Sequence, residues 1–345
     1  MKSILRMALL LIGFFGLAMA EHESAPLYET LRPWKVAFVR DSNIWVCNGD
    51  GTDQTLIIEN GLSPAWSPDK SQIAFVRRGN VWLARANGSN QLPLTFQWTD
   101  SDVNRESRFS DVSISWHPGS GSVTFSHAEE FKAERMNGTA GIDLDRKVAN
   151  GVIVATSIFD VLPRGTEPCK VIVRYDLFAN GTGFSFADHA HPAWSRSGKK
   201  LAFTRNGDIW IAEAESASAG EPPSGWETTR LATVARFDEP TNRISRNNRG
   251  ATRLSWHPDG RRLAYAYDRL QGSGFNEIHL LDTLSGKDLI VVKDALEPCF
   301  SPDGNFILYR NYGDECGREG FCVCAVSLDG RNRMKILSKG IQPVW

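Results

Sequence analysis

The chain has 345 residues, with 39 basic against 40 acidic side chains and a formal net charge of -1. That balance supplies no basic face for nucleic acid or an anionic membrane. Hydrophobic residues at 41% and charged ones at 23% exclude wholesale disorder, and 30 Gly with 11 Trp are more than a helical bundle accommodates.

Residues 1–20 read as a secretory signal peptide. Lys2 and Arg6 precede an apolar run from Met7 to Ala20 that is too short to span a bilayer. It ends in Ala18-Met19-Ala20, a small-x-small cleavage pattern. Glu21 follows the expected cut rather than Cys, which argues against a bacterial lipoprotein. No later apolar run has the length of a transmembrane helix. All six cysteines (Cys47, Cys169, Cys299, Cys316, Cys322 and Cys324) follow the leader, where an oxidising compartment permits disulfides. Sequence does not choose their connectivity. Cys316 and Cys322 flank a Gly-bearing stretch that suits closure of one hairpin. Zinc on Cys316, Cys322 and Cys324 is the alternative, disfavoured because the pair has no matching second pair or nearby His.

Residues 21–32 form a short N-terminal segment, and from 33 onward the chain repeats itself. Val36 to Val39 and Asn43 to Val46 read as two strands, with Thr55 to Ile58 as a third. Pro64-Ala65-Trp66-Ser67-Pro68-Asp69 then opens a full unit, followed by Ile73-Ala74-Phe75-Val76 and Asn80-Val81-Trp82-Leu83. The pattern returns at Ser115-Trp116-His117-Pro118, at Pro192-Ala193-Trp194-Ser195, at Ser255-Trp256-His257-Pro258-Asp259-Gly260 and at Pro298-Cys299-Phe300-Ser301-Pro302-Asp303-Gly304. Each run is short, β-branched or aromatic, and bounded by turn residues. In Pro-Asp-Gly, Pro presets one dihedral, Asp bonds the backbone locally and Gly takes the positive φ. Four antiparallel strands at a period of about 45 residues make one propeller blade. The N-terminal strands lack a Pro-x-Trp strand before them, and Pro343-Val344-Trp345 is such a strand with nothing after it. The expectation is an all-β, six-bladed β-propeller over residues 33–345, with four-stranded antiparallel blades. Its ring is closed by the C-terminal strand, which completes the first blade and leaves no open edge.

The repeat Pro-x-Trp-Ser-Pro-Asp-Gly, then Ile-Ala-Phe, then Ile-Trp, resembles that of the TolB-type (WD40-like) β-propeller family and covers essentially all of 33–345. The family's periplasmic namesake carries an α/β domain before its propeller. Here about a dozen residues separate the leader from the first blade, so contacts made through that domain do not carry over. The resemblance implies a periplasmic or secreted protein whose channel mouth receives a protein partner. In the family that partner is the peptidoglycan-associated lipoprotein.

Inner strands line the channel of any propeller. The residue three before each inner aromatic should approach its mouth: Ser63, Ser113, His191, Arg253, Glu297 and Gln342. Two residues further out on the same strand face stand Gly61, Asp111, His189, Ala251, Ala295 and Gly340. The expected partner-binding funnel is Ser63, Asp111, His189, His191, Arg253, Glu297 and Gln342. His189 and His191 share a strand face and are the candidate metal ligands, as in some propeller lyases. Phe186 stands where those lyases place a Gln, and no metal or other cofactor is assigned. Asn48-Gly49-Asp50-Gly51-Thr52-Asp53 resembles part of a calcium loop without its distal Glu and reads as a turn. His117 and His257 read as turn residues in the position that Ser holds elsewhere. The widest gaps between repeats hold insertions at 128–148 and 214–250, and Trp34, Trp98 and Trp226 fall outside the repeat positions. Asn87, Asn137 and Asn180 begin glycosylation sequons that also suit Asn-Gly turns. Gly-x-Ser-x-Gly and His-Glu-x-x-His are both absent. The preferred reading is an exported, monomeric, non-enzymatic scaffold of the cell envelope or periplasm. Its partner is a protein, with an envelope lipoprotein among the candidates. The alternative is a metal-dependent carbohydrate lyase or lactonase-type propeller.

Overall fold

A computed structural model describes residues 27–94, 113–119, 123–132, 152–161, 170–178, 191–205, 208–214, 226–232, 249–269 and 276–345. The leader, Asp111, His189, Trp98, Cys169 and the sequons at Asn137 and Asn180 lie outside the described residues. Among the described residues, every regular element after a short helix α1 (Leu27–Leu31) but one 3-10 turn is a strand. Among the described residues the strands form six four-stranded antiparallel sheets. Sheet I joins β1 (Lys35–Arg40), β2 (Asn43–Asn48) and β3 (Thr55–Ile58) to the chain's last strand. Sheet II holds β4 (Leu62–Trp66), β5 (Gln72–Arg77), β6 (Asn80–Arg85) and β7 (Leu92–Pro93). Sheet III holds β8 (Ile114–Trp116), β9 (Val123–Lys132), β10 (Val152–Val161) and β11 (Lys170–Phe178). Sheet IV holds β12 (Ala193–Trp194), β13 (Lys200–Arg205), β14 (Asp208–Ala214) and β15 (Trp226–Ala232). Sheet V holds β16 (Arg249–Trp256), β17 (Arg262–Arg269), β18 (Glu277–Asp282) and β19 (Asp288–Lys293). Sheet VI holds β20 (Ala295–Phe300), β21 (Phe306–Asn311), β22 (Cys322–Ser327) and β23 (Arg333–Ser338). The last strand, β24 (Ile341–Val344), pairs antiparallel with β1 as the inner strand of sheet I. Stacked four-stranded antiparallel sheets of this kind are the blades of a β-propeller.

The second strand of each sheet is buried on both faces, as Val36 to Val39 and Ile73 to Val76 illustrate. Both faces are apolar because a neighbouring sheet covers each one. An aromatic ring fills one face at Phe38, Phe75, Phe203, Tyr265 and Tyr309, all within 1% of full burial. On the other face Ala37, Ala74, Ala202 and Ala264 keep the next sheet close. The buried clusters accordingly join two sheets each. Ile44 and Ile58 of sheet I meet Ile73 and Phe75 of sheet II, and Phe38 meets Leu308 and Val323 of sheet VI. Each buried aromatic contributes about 2–3 kcal/mol relative to exposure.

Polar latches reinforce this stacking. Trp116 Nε1 donates to Ala65 O at 2.9 Å, Trp256 Nε1 to Ala193 O at 3.0 Å and Trp345 Nε1 to Cys299 O at 3.2 Å. Each bond runs from one inner strand to the preceding sheet's inner strand. His117 and His257, expected to be simple turn residues, reach across sheets as well. His117 packs edge-on against Trp194 and approaches Gly198 O at 3.1 Å. His257 packs edge-on against Phe300 and approaches Gly304 O at 3.0 Å. Elsewhere Ser takes this place and serves its own turn: Ser67 Oγ donates to Asp69 Oδ1 at 2.6 Å and accepts from Gln72 N at 2.9 Å.

Two free tryptophans of the sequence are not free. Trp34 packs against the core shared by sheets I and VI, and Trp226 begins β15, opposite Ala214. The segment 214–250 therefore contains a blade strand rather than only an insertion. Cys316 and Cys322 form a disulfide that clips the 3-10 turn Asp314–Glu319 to the start of β22. With two of its sulfurs bonded to each other, the zinc alternative has lost its ligand set. Cys47 lies fully buried, and burial pushes its thiol up to about 12.

Gly304 sits at φ 80°, and a Cβ there would fall 2.3 Å from His257 Nε2, whereas Gly260 at φ 68° has open space around it. We expect Gly260→Ala to cost about 1–2 kcal/mol, the strain of a left-handed residue alone. Gly304→Ala should cost roughly twice that, because the His257 ring must move as well. Urea midpoints of both variants read the difference, and equal losses would show that His257 does not latch onto Gly304. A second expectation concerns Cys47. Buried, with its thiol raised by burial, it should stay unmodified by iodoacetamide at pH 8 until denaturant is added. Labelling at the rate of an exposed thiol would contradict its burial.

Candidate functional site

The inner strands β24, β4, β8, β12, β16 and β20 touch their neighbours in that order, and β20 touches β24. Each carries the Pro-x-Trp motif or a variant of it, and pairing slips at the motif. The register breaks between Leu62 and Ala65 in β4, between Thr252 and Ser255 in β16, and between Leu296 and Cys299 in β20. Such bulges suit Pro, which lacks an N–H and is confined to edge strands and bulges. Pro64, Pro298 and Pro343 stand at such breaks, and Pro192 directly precedes β12. The residue before each is turned into the left-handed region: Ser63 (φ 48°), His191 (30°), Glu297 (59°) and Gln342 (50°), with Arg253 (52°) at the matching place before Leu254.

These five residues and Ser113 line one cavity of about 250 Å³. The position three before each inner aromatic thus lines this cavity in every sheet. Of the seven funnel residues, Ser63, His191, Arg253, Glu297 and Gln342 are brought together; Asp111 and His189 lie outside the described residues.

Most of the wall's polar groups are already engaged with each other. Glu297, 8% exposed, accepts from the Gln342 backbone N–H at 2.6 Å through Oε2. Arg310 Nε lies 3.5 Å from the same oxygen, and its guanidinium stacks over Tyr312 at 4.9 Å. Gln342 Oε1 accepts from the Ser63 N–H at 2.7 Å. His191 Nδ1 lies 2.8 Å from Ser113 Oγ. Ser115 Oγ and Ser255 Oγ accept from the Trp194 and Phe300 N–H groups at 3.2 and 3.1 Å. The wall is therefore a hydrogen-bonded belt that ties one inner strand to the next. Arg253 differs: it is half-buried at the cavity wall, and no hydrogen bond or ion pair engages it among the described residues.

Three residues escape the sequence reading: Cys299 on the wall itself, and Arg310 and Lys70, which engage Glu297 and Trp345 from outside the lining. Arg310 sits opposite Leu296, one residue from the bulge, and strand register is the signal that could have found it. Cys299 lines the cavity, with its thiol pushed up by burial. Lys70, reaching from the turn after β4, donates to Trp345 O at 2.5 Å and is pushed down by burial. Of the candidate metal ligands only His191 is described. Among the described residues no group of three or more His, Cys, Asp or Glu side chains is arranged to hold a metal ion. The loop from Asn48 to Asp53 closes on itself: Asn48 Nδ2 donates to Thr52 Oγ1 at 2.8 Å and to Asp53 Oδ2 at 2.6 Å, as a turn requires.

The fold is that of a TolB-like β-propeller. TolB from Acinetobacter baumannii superposes with a TM-score of 0.59 at 19% identity, covering 91% of this chain and 67% of that one. A chain of a nidogen/laminin complex superposes with a TM-score of 0.55 at 10% identity, covering 90% of this chain and 97% of that one. No protein-family model matches the sequence, and no curated protein does. Among the described residues no helix is long and apolar enough to cross a membrane.

Glu297→Ala would remove the acceptor for Gln342 N–H and leave Arg310 without its carboxylate. The expected cost is about 2–4 kcal/mol in denaturant unfolding. Glu297→Gln keeps an acceptor oxygen and should lose less than half of that. Wild-type midpoints for both would show that the Glu297 tie does not hold β24 in place.

Proposed function

We propose that this chain is an exported, monomeric, non-enzymatic scaffold: a six-bladed ring closed by β24 that binds a protein partner at its channel mouth. Residues 1–20 direct it to the periplasm or outside the cell and are removed there, and an envelope lipoprotein is one candidate partner. The observation that carries this reading is the convergence of Ser63, Ser113, His191, Arg253, Glu297 and Gln342 on one cavity. Five of them are held in a left-handed conformation that L side chains avoid. Backbone strain concentrated at one polar concavity is a signature of binding surfaces. The TolB likeness supports the same reading, because the channel mouth of that family receives a partner.

Site-specific photocross-linking tests it. A cross-linking residue at Ser63 should capture a defined protein in the native envelope fraction, and Arg253→Glu in the same chain should abolish the capture. The same probe at Leu284, exposed on a turn of sheet V, serves as the control. Equal capture from both positions, or capture that survives Arg253→Glu, would place the partner elsewhere.

A further inference from the structure

We propose that the cavity binds a carboxylate group through Arg253, an inference that rests on the reading of the channel mouth as the binding surface. The acceptors on the wall are largely spoken for: Glu297 by Gln342 N–H and Arg310, Gln342 Oε1 by Ser63 N–H, Ser115 Oγ and Ser255 Oγ by inner-strand N–H groups. The Glu297 charge is balanced by Arg310 at 3.5 Å. Arg253 is the wall cation that has no such counterpart, so among the described residues the cavity wall carries one positive charge without a paired carboxylate.

A guanidinium presents paired N–H donors in a planar fork, and a carboxylate matches that fork with two oxygens. At the wall of a concave site the match is stronger than in open water. The backbone holds Arg253 at φ 52° within a register break, so the base of the side chain is fixed rather than free on a flexible loop. A cavity of about 250 Å³ is below the size that encloses a drug-sized molecule. It suits the end of a chain or one small acid. A peptide's C-terminus or acidic side chain and a free dicarboxylate share the chemistry that Arg253 reads.

Isothermal titration of the full chain with three probes tests the proposal. They are an acetylated alanine pentapeptide with a free C-terminus, its C-terminal amide, and succinate. The free acid should bind about tenfold more tightly than the amide. Arg253→Gln should erase that ratio, and Arg253→Lys should restore part of it, since charge returns without the fork. In the wild-type chain the ratio should fall as sodium chloride rises, a readout that needs no variant to fold. Binding of the peptide acid alone assigns the site to a chain end. Comparable binding of succinate extends it to free acids, and either result supports the proposal. Equal binding of acid and amide, or no binding by acid or succinate, overturns it. Capture from Ser63 that persists under those outcomes keeps the channel mouth as a binding surface and removes only its carboxylate chemistry.

Discussion

The described sheets are covered chiefly by one another, with Leu31 of α1 and Cys316 of the 3-10 turn added to the cores they share. Among the described residues there is no helical layer, and α1 is only five residues long. The apolar faces of one sheet are stable only when two neighbours are in place, so packing between sheets governs the whole structure. That constraint explains the pairing of a large ring with Ala in the second strands. It also explains why Trp116, Trp256 and Trp345 spend their indole N–H on a neighbour's carbonyl. A buried N–H without an acceptor would cost on the order of 1–3 kcal/mol. In sheets III, V and I the inner-strand Trp reaches a backbone oxygen of the preceding sheet's inner strand, whereas Trp194 reaches Thr124 Oγ1 of β9.

The same constraint produces the cavity. Inner strands must converge without colliding, and a register break bends β4, β16, β20 and β24 there, at a Pro in all but β16. The bend frees one residue per strand from the pleat and aims it at the channel. Packing sets where these residues stand, but it does not set what they are. The wall reads Ser, Ser, His, Arg, Glu and Gln around the channel, while the aromatic three residues later hardly varies.

Strands, their order and the place of the wall residues were legible because they repeat. A short apolar run between Gly, Pro and Asp turns says strand, and its recurrence says blade. Pairing of β24 with β1 was legible because each end of the chain lacks what the other supplies. What the sequence hid was anything decided by a neighbouring sheet. His117 and His257 look like turn residues locally, and their acceptors Gly198 O and Gly304 O lie 81 and 47 residues away. Trp34 precedes the first repeat, yet packs on a core shared with sheet VI. The Cys316–Cys322 pair was one option among several, since geometry and not spacing selects a disulfide. Arg310 was invisible for the same reason: nothing along the strand says that its guanidinium meets Glu297.

The left-handed wall positions carry one last implication. Glycine adopts such φ values without strain, and the turns of this chain use it freely, as at Gly51, Gly88 and Gly330. A residue with a Cβ in that region costs about 1 kcal/mol or more. Were the bulge needed only to bend the strand, Gly would be the stable choice at Ser63, His191, Arg253, Glu297 and Gln342. Ser63 contributes mainly its backbone N–H, and Glu297 and Gln342 recover part of the strain through the ties between strands. Arg253 recovers none of it by such a tie among the described residues. Among the described residues Arg253 is thus a strained, half-buried cation without a partner, which weakens the fold where it stands, and a carboxylate bound as proposed would offset that cost.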